Sequence, residues 1–250
     1  MFSPITLEEM DSVRLMNRVD TKYLVNASLV PGLLEKASGH YRMVEIDGRR
    51  ICPYSSIYFD TGSMEMYRMH HNGKRHRYKV RMRSYLDSGL TFLEVKEKSN
   101  KGRTTKKRIS IMPEQFGTMQ LTEREEIFLS RKSPYGTSVL RPILQNLFQR
   151  ITLVDNKGTE RVTLDLGLTF KDPVGSTVKG TDGFVIIEIK QDGAAKSHFR
   201  EYLNELKILP GSMSKYCLGM TMIYPGLKAN NFKRKIRKIN KIAQKNYVTN

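Results

Sequence analysis

Arg77-Tyr78-Lys79-Val80-Arg81-Met82-Arg83-Ser84-Tyr85 alternates basic residues at 77, 79, 81 and 83 with aromatic or apolar residues at 78, 80 and 82. Side chains in a strand point alternately to two faces, so this stretch predicts a β-strand with one cationic face and one apolar face. Phe92 to Lys98 repeats the pattern, with Glu94, Lys96 and Lys98 opposite Leu93 and Val95. Asp87-Ser88-Gly89 between the two runs reads as a hairpin turn. Working outward, Lys106 and Arg108 alternate with Ile109 and Ile111, and Arg161, Thr163 and Asp165 oppose Val162, Leu164 and Leu166. Glu188 and Lys190 oppose Val185, Ile187 and Ile189, and the charges of Arg18-Val19-Asp20-Thr21-Lys22 fall on one face.

A single strand of this kind has one face packed on a core and the other solvated and charged, as is common in antiparallel sheets. Six with the same basic bias point further. If the sheet curls into a barrel, the charged faces converge on its lumen. A lumen of Lys and Arg is unstable unless water or an anion fills it. Triphosphate, polyphosphate and phosphate-rich nucleotides fit such a space. Duplex DNA, ~20 Å wide, does not, and could meet only an outer surface.

The rest of the chain completes an α+β pattern of about eight mainly antiparallel strands with inserted and appended helices. Strands are expected near 19–25, 56–60, 103–111, 150–156, 159–170 and 183–190. Helices are expected near 28–38, 63–69, 197–206, 214–224 and 231–246. Residues 113–149 read as a helical insertion, because Val139, Ile143, Leu144, Leu147 and Phe148 recur at helical spacing. Residues 1–250 are thus expected to form one tunnel domain, with 226–250 a basic C-terminal helix. Phe232, Ile236, Ile239 and Ile242 give that helix one apolar stripe. The stripe suits docking on the core, and the basic face suits an anionic membrane surface or a polyanion at the tunnel mouth.

Composition sets the class of partner. The chain has 250 residues, 43 Lys plus Arg against 25 Asp plus Glu, and a net charge of +18. That excess favours polyanions. The N-terminal residues lack the basic-then-apolar layout of a signal peptide, and no apolar run is long enough to span a bilayer. The two cysteines, Cys52 and Cys217, stand far apart and form no metal pair. A reduced, cytoplasmic location is expected, peripheral to a membrane if the C-terminal helix attaches there. His70, His71 and His76 carry no zinc-ligand spacing. Asp20, Glu94 and Glu188 would sit among cations, either paired with Lys or Arg or binding Mg²⁺ or Mn²⁺, and Glu188, lone in an apolar run, is the best metal candidate.

These residues together resemble the VTC (vacuolar transporter chaperone) domain, the polyphosphate polymerase branch of the triphosphate tunnel metalloenzymes related to the CYTH proteins. The resemblance rests on Arg18-Val19-Asp20-Thr21-Lys22-Tyr23, Ile57-Tyr58-Phe59-Asp60-Thr61, Arg81-Met82-Arg83-Ser84-Tyr85 and Phe92-Leu93-Glu94-Val95-Lys96, in family order. It continues through Arg161-Val162-Thr163-Leu164-Asp165, Ile187-Glu188-Ile189-Lys190 and Ser214-Lys215-Tyr216. It implies an antiparallel tunnel barrel and a soluble, stand-alone form of the bacterial type. It also implies transfer of the γ-phosphate of ATP to inorganic polyphosphate, with Mn²⁺ or Mg²⁺. Lys22, Arg81, Arg83, Lys96, Lys106, Arg150, Arg161 and Lys215 would contact phosphate in catalysis. Lys79, Lys190 and Ser214 would assist in holding the nucleotide, and Glu188 would bind the metal.

Two departures stand out. Phe148 occupies a position where many members have Tyr. Arg18 replaces the first acid of the Glu-x-Glu-x-Lys signature of the CYTH hydrolases, leaving fewer carboxylates for metal. Two rivals share the fold expectation, a tunnel triphosphatase and a polyphosphate-binding module without catalysis. No motif for specific nucleic-acid recognition is present.

Overall fold

A computed structural model describes residues 1–12, 18–193, 196–211 and 213–244. In chain order the elements are β1 (Pro4–Ile5), α1 (Leu7–Ser12), β2 (Arg18–Asn26), α2 (Val30–Ala37), β3 (Tyr41–Val44), β4 (Cys52–Thr61), α3 (Glu65–His71), β5 (Arg77–Tyr85), β6 (Thr91–Lys98) and β7 (Thr104–Ile111). They continue with α4 (Glu123–Lys132), β8 (Leu140–Asp155), β9 (Glu160–Lys171), β10 (Val178–Thr181), β11 (Phe184–Asp192), α5 (His198–Glu205), α6 (Lys215–Ile223) and α7 (Lys233–Ala243). The strands form one 11-stranded sheet whose main path is β2-β11-β9-β8-β4-β5-β6-β7, with every neighbouring pair on it antiparallel.

This is the expected antiparallel α+β tunnel architecture, with more strands than expected and without hydrogen-bonded closure. β2 and β7 remain edges of the path. The segment leading into α6 reaches β2, where the Gly211 N–H donates to the Lys22 carbonyl at 2.9 Å.

The alternation in the strands decides which face is which. Tyr23, Val25, Leu164, Val185, Ile187 and Ile189 pack under α2 and α5. Val80, Met82, Leu93 and Val95 pack under α3 and α4. These apolar faces form the outer wall beneath the helices, so the intervening charged positions turn inward.

The inner face is itself divided. Lys22 is followed along β2 by Leu24, and Glu188 is preceded along β11 by Ile186 and Phe184. Leu24, Ile186 and Phe184 join Leu144, Leu168 and Phe170 in a cluster filled by α6 and α7. Where β2, β4, β8, β9 and β11 form it, one end of the concavity is therefore apolar and plugged. Gly219 is what lets α6 lie directly on the sheet, since a Cβ there would stand 2.4 Å from Phe170 and 2.6 Å from Leu144. Asp60 ties the plug to the wall. Its carboxylate accepts from the Met66 and Tyr67 N–H groups at the start of α3, both at 2.9 Å, and from the Tyr216 hydroxyl of α6. Asp60 thus caps the start of α3.

The expected helix over 113–149 is corrected. Only a 3₁₀ turn at Pro113–Gln115 and α4 are helical there. From Leu140 the chain is a 16-residue strand paired with β4 on one side and β9 on the other. Pro142 explains the outcome, because inside a helix it would remove a hydrogen bond and clash with the preceding turn. The dense apolar spacing of 139–148 comes from burial on both faces, with an irregularity opposite Tyr58/Phe59. The C-terminal helix is present as α7, with its apolar stripe docked on the core through Phe232, Ile236, Ile239 and Ile242. Residues 245–250 and the Arg18 side chain lie outside the described residues.

Gly219→Ala tests the plug. At an open helix position this change gains ~1 kcal/mol. Here overpacking against Phe170 and Leu144 outweighs that gain, and a net loss of ~1–2 kcal/mol is expected in urea unfolding. A stabilised variant would show that α6 does not lie on the sheet.

Candidate active site

Seven strands and the first turn of α6 bring the charged residues into the unplugged part of the concavity. At one side, Glu94 on β6 is 1% exposed and lies between Arg81 of β5 and Lys106 of β7. Arg81 Nε donates to Glu94 Oε2 at 2.7 Å and Lys106 Nζ to Glu94 Oε1 at 2.9 Å. Arg81 also reaches the Tyr58 hydroxyl at 3.3 Å. At the opposite wall, Arg150 of β8 grips Asp165 of β9 with two hydrogen bonds, 2.6 and 3.0 Å. Lys215, the first residue of α6, pairs with the same carboxylate and sits 4.0 Å from the Phe148 ring centroid. The third cluster joins β2 to β11. Glu188 pairs with Lys22 and lies 3.7 Å from Lys190.

Glu94 and Asp165 are buried and Glu188 is half-buried, and burial alone would raise the pKa of each. Arg81, Arg83 and Lys106 nevertheless hold Glu94 well below the carboxylate range. Arg150 and Lys215 do the same for Asp165. Lys22 and Lys190 hold Glu188 at about 2. All three are carboxylates at neutral pH, each spent on neighbouring cations.

The remaining cations have less compensation. Arg83, 8% exposed, bonds the Ser56 hydroxyl at 3.1 Å and has no ion-pair partner among the described residues. Lys96 likewise makes no ion pair there. Its head is reached by water although protein surrounds it, as suits a side chain ending in a wet lumen. Burial pushes its pKa to about 8, with Lys22, Arg81 and Lys190 adding to the effect. Lys79 of β5 and Asp165 of β9 meet the adjacent residues Ser214 and Lys215 at the start of α6, which shows how far the sheet curls. Lys79 donates to the Ser214 hydroxyl at 2.8 Å and is pushed down to about 7, chiefly by burial. Lys215 is pushed down to about 7 by burial despite Asp165. Ser214 also caps α6 by accepting from the Cys217 N–H at 3.4 Å. The positive end of that helix faces the lumen. Arg161 shares the inner face of β9 with Asp165 and donates to the Met10 carbonyl at 2.9 Å, tying α1 to the rim.

The expected site residues are therefore gathered on one concave face. Glu94, expected either to pair with Lys or Arg or to bind metal, pairs with Arg81 and Lys106, and Asp165, given no role in the expectation, orients Arg150 and Lys215. Their signal was present in the alternation, since each shares a strand face with an expected cation. Phe148, where a Tyr hydroxyl was expected, offers a ring face to Lys215 and Arg150 instead. The histidine segment serves packing, with His71 buried and bonded to Asn231.

A family model for the VTC domain matches residues 17–224. The chain belongs to the VTC domain family. Among solved structures, a Hippeastrum candidate adenylyl cyclase with a dominant triphosphatase activity superposes with a TM-score of 0.51 at 15% identity. That match covers 83% of this chain and 96% of the other. A candidate adenylate cyclase from Bacillus halodurans matches with a TM-score of 0.47 at 14% identity, over 79% and 94% of the two chains. At this identity the Hippeastrum likeness shows the shared fold. No curated protein sequence matches the chain. Among the described residues of this VTC domain no helix is long and apolar enough to cross a membrane.

The depressed lysines of the VTC tunnel make a pH prediction. A lysine with a lowered folded-state pKa binds its proton better in the unfolded chain. Its cost to stability is full below about pH 7 for Lys79 and Lys215, and fades as pH rises toward 10.5. A bound polyanion favours the charged lysines, so tripolyphosphate binding at pH 8 is expected to take up protons. Calorimetry in buffers of different ionisation enthalpy measures this directly, and proton release on binding would contradict the site.

Proposed function

We propose that this VTC domain is a polyphosphate polymerase that transfers the γ-phosphate of ATP to the end of an inorganic polyphosphate chain in its basic tunnel. The observation that carries the reading is the charge balance of the lumen. Glu94, Asp165 and Glu188 are each committed to cations, while Arg83 and Lys96 have no carboxylate partner among the described residues. That leaves a wet, enclosed surface with surplus positive charge, which suits a chain of phosphates.

In the proposed reaction a terminal oxygen of the polyphosphate attacks the γ-phosphorus of ATP. A new P–O bond forms, the bond to the β–γ bridging oxygen breaks, and ADP leaves with that oxygen. Phosphoryl transfer of this kind depends on positioning and on stabilising charge at the phosphate oxygens. Arg81 and Arg150, oriented by Glu94 and Asp165, can each grip two oxygens, and Arg83 adds a third fork. Lys22, Lys79, Lys96, Lys106, Lys190 and Lys215 supply point charges along the walls, with Arg161 at the rim. The acceptor oxygen is already ionised near neutral pH, so no strong base is required.

A divalent ion fits this donor set in one way. Among the described residues no group of three His, Cys, Asp or Glu side chains could hold a metal. Magnesium-like ions, however, bind through one or two carboxylates together with substrate phosphates. Glu188, kept ionised, is the carboxylate that would meet Mg²⁺ or Mn²⁺ arriving with the triphosphate. Such an ion would supply positive charge to offset the negative charge of the triphosphate. The same donor set favours a phosphate acceptor over water, because water needs an activating base or further metal ligands. Triphosphate hydrolysis, the activity described for the Hippeastrum protein, is the second reading.

Incubation with ATP and Mn²⁺ or Mg²⁺, followed by a polyphosphate gel and assays of ADP and orthophosphate, separates the two. ADP matched by polymer-bound phosphate is expected. ADP matched by orthophosphate would overturn polymerase in favour of hydrolysis, and no turnover with retained binding would leave a binding module. Glu188→Gln is expected to lower turnover by roughly 10²–10³ while polyphosphate still binds. Arg83→Ala, which orphans no buried carboxylate, is expected to weaken both turnover and binding.

A further inference from the structure

The C-terminal helix carries charge that the tunnel does not use. No acidic residue follows Glu205 in the chain. On α7 the side chains of Lys233, Arg234, Lys235, Arg237, Lys238 and Lys241 are exposed, and none is in an ion pair among the described residues. Like charges crowded on one short helix repel, so α7 has to be held by something else. Phe232 and Ile239 are buried in the apolar plug, with Ile236 and Ile242 beside them. The ends are fastened separately. Asn26 Nδ2 donates to the Ile242 carbonyl at 2.6 Å, and Asn231 Nδ2 donates to the His71 carbonyl at 2.9 Å. Gly183, at φ +84, leaves room for the Ala243 carbonyl, which a Cβ would approach to 2.6 Å.

These anchors lay α7 over the plug, at the end of the concavity where β2 ends, β11 begins and β5 begins; among the described residues the plug takes none from β5 or β6, so that side of the end stays basic. Arg77 opens β5 and pairs in register with Lys98, the last residue of β6. Both continue the lumen faces of Lys79 and Lys96. His70 sits between the two sets of charges. Burial, then Lys79, Arg77, Lys235 and Lys98, push its pKa down to about 2. Lys235 of α7 thus shares one neighbourhood with the basic rim. Lys238 Nζ stands 3.3 Å from where a Cβ on Gly211 would be, beside the segment bonded to Lys22.

We propose that the exposed face of α7 is a polyanion-binding surface that continues the tunnel past the Arg77–Lys98 rim and holds the part of a linear polyphosphate chain lying outside the lumen. This rests on polyphosphate being the tunnel's ligand. The length of the patch supports a polymer, since 11 residues of helix present cations over ~16 Å, beyond the reach of a nucleotide's phosphates. A membrane surface fits less well. Interfacial helices hold by burying an apolar face in the lipid, and α7 has already committed that face to the protein core.

The test uses the full chain and compares long-chain polyphosphate with tripolyphosphate over a range of salt. In Lys235→Gln/Lys238→Gln/Lys241→Gln, the affinity for the long chain is expected to fall roughly tenfold or more at low salt. Its log–log salt dependence should become shallower by about 2, taking ~0.7 per lost cation as for a flexible single-stranded polyanion. Tripolyphosphate binding should not change. The Lys→Arg version at the same positions should keep long-chain affinity, which separates charge from folding. Unchanged long-chain affinity in the Gln variant would overturn the proposal, as would equal loss for both ligands. Wild-type binding to phosphatidylserine vesicles that the variant loses, with no preference for chain length, would assign the face to membranes and also overturn it. If the wild type binds neither phosphate ligand, the tunnel reading fails and this inference with it. If it binds both and the variant does too, only this inference fails.

Discussion

The structure depends on three inward-facing carboxylates, two buried and one half-buried, each held between cations. Glu94 joins Arg81 to Lys106, Asp165 joins Arg150 to Lys215, and Glu188 joins Lys22 to Lys190. Without them the inner faces of β2, β5, β6, β7, β8, β9 and β11 would bring unscreened like charges together in a confined space. A buried charge with a removed partner costs ~3–5 kcal/mol. Each acid therefore sets two cations in place and lowers the repulsion among the rest. The balance is incomplete, because Arg83 and Lys96 make no ion pair among the described residues, and that surplus is what an anionic chain would neutralise.

A second constraint sets where the wet space stops. Going along β2 from Lys22 to Leu24, or along β11 from Glu188 to Ile186 and Phe184, the inner face changes from charged to apolar within two residues. Helix α6 follows the same division. Its first residue, Lys215, joins the charged network, while Tyr216, Leu218 and Met220 join the plug. Gly219 allows the close approach, and Asp60 connects Tyr216 to the start of α3. Binding and folding are thus coupled through one nine-residue helix. An anion at Lys215 and Lys79 would act on the same element that closes the core.

The tunnel was legible in the sequence because strand alternation is a local property. Arg77 to Arg83 and Val185 to Lys190 state their two faces without knowledge of their neighbours. Pairing is not local. Asp165 looked like one acid among others on β9 until the fold set Arg150 and Lys215 against it, from 15 and 50 residues away. Glu94 was legible as an acid among cations, but not its particular partners Arg81 and Lys106. Residues 140–149 misled for another reason. A strand buried on both faces carries a dense apolar run that helical spacing also fits, and only Pro142 argued otherwise. The basic stripe of the C-terminal helix was readable, but its place at the Arg77–Lys98 rim follows from contacts with Asn26, His71 and Gly183 that no sequence window contains.

The most direct measurement is a crystal structure of the protein grown with tripolyphosphate. The expected result is a row of phosphates inside the concavity, with oxygens within hydrogen-bond reach of Arg81, Arg83, Lys96 and Arg150, and with Glu94 and Asp165 still holding their arginines. Phosphates bound only to outer surfaces, with the lumen cations still paired as they are and only water among them, would contradict the basic tunnel as the functional site.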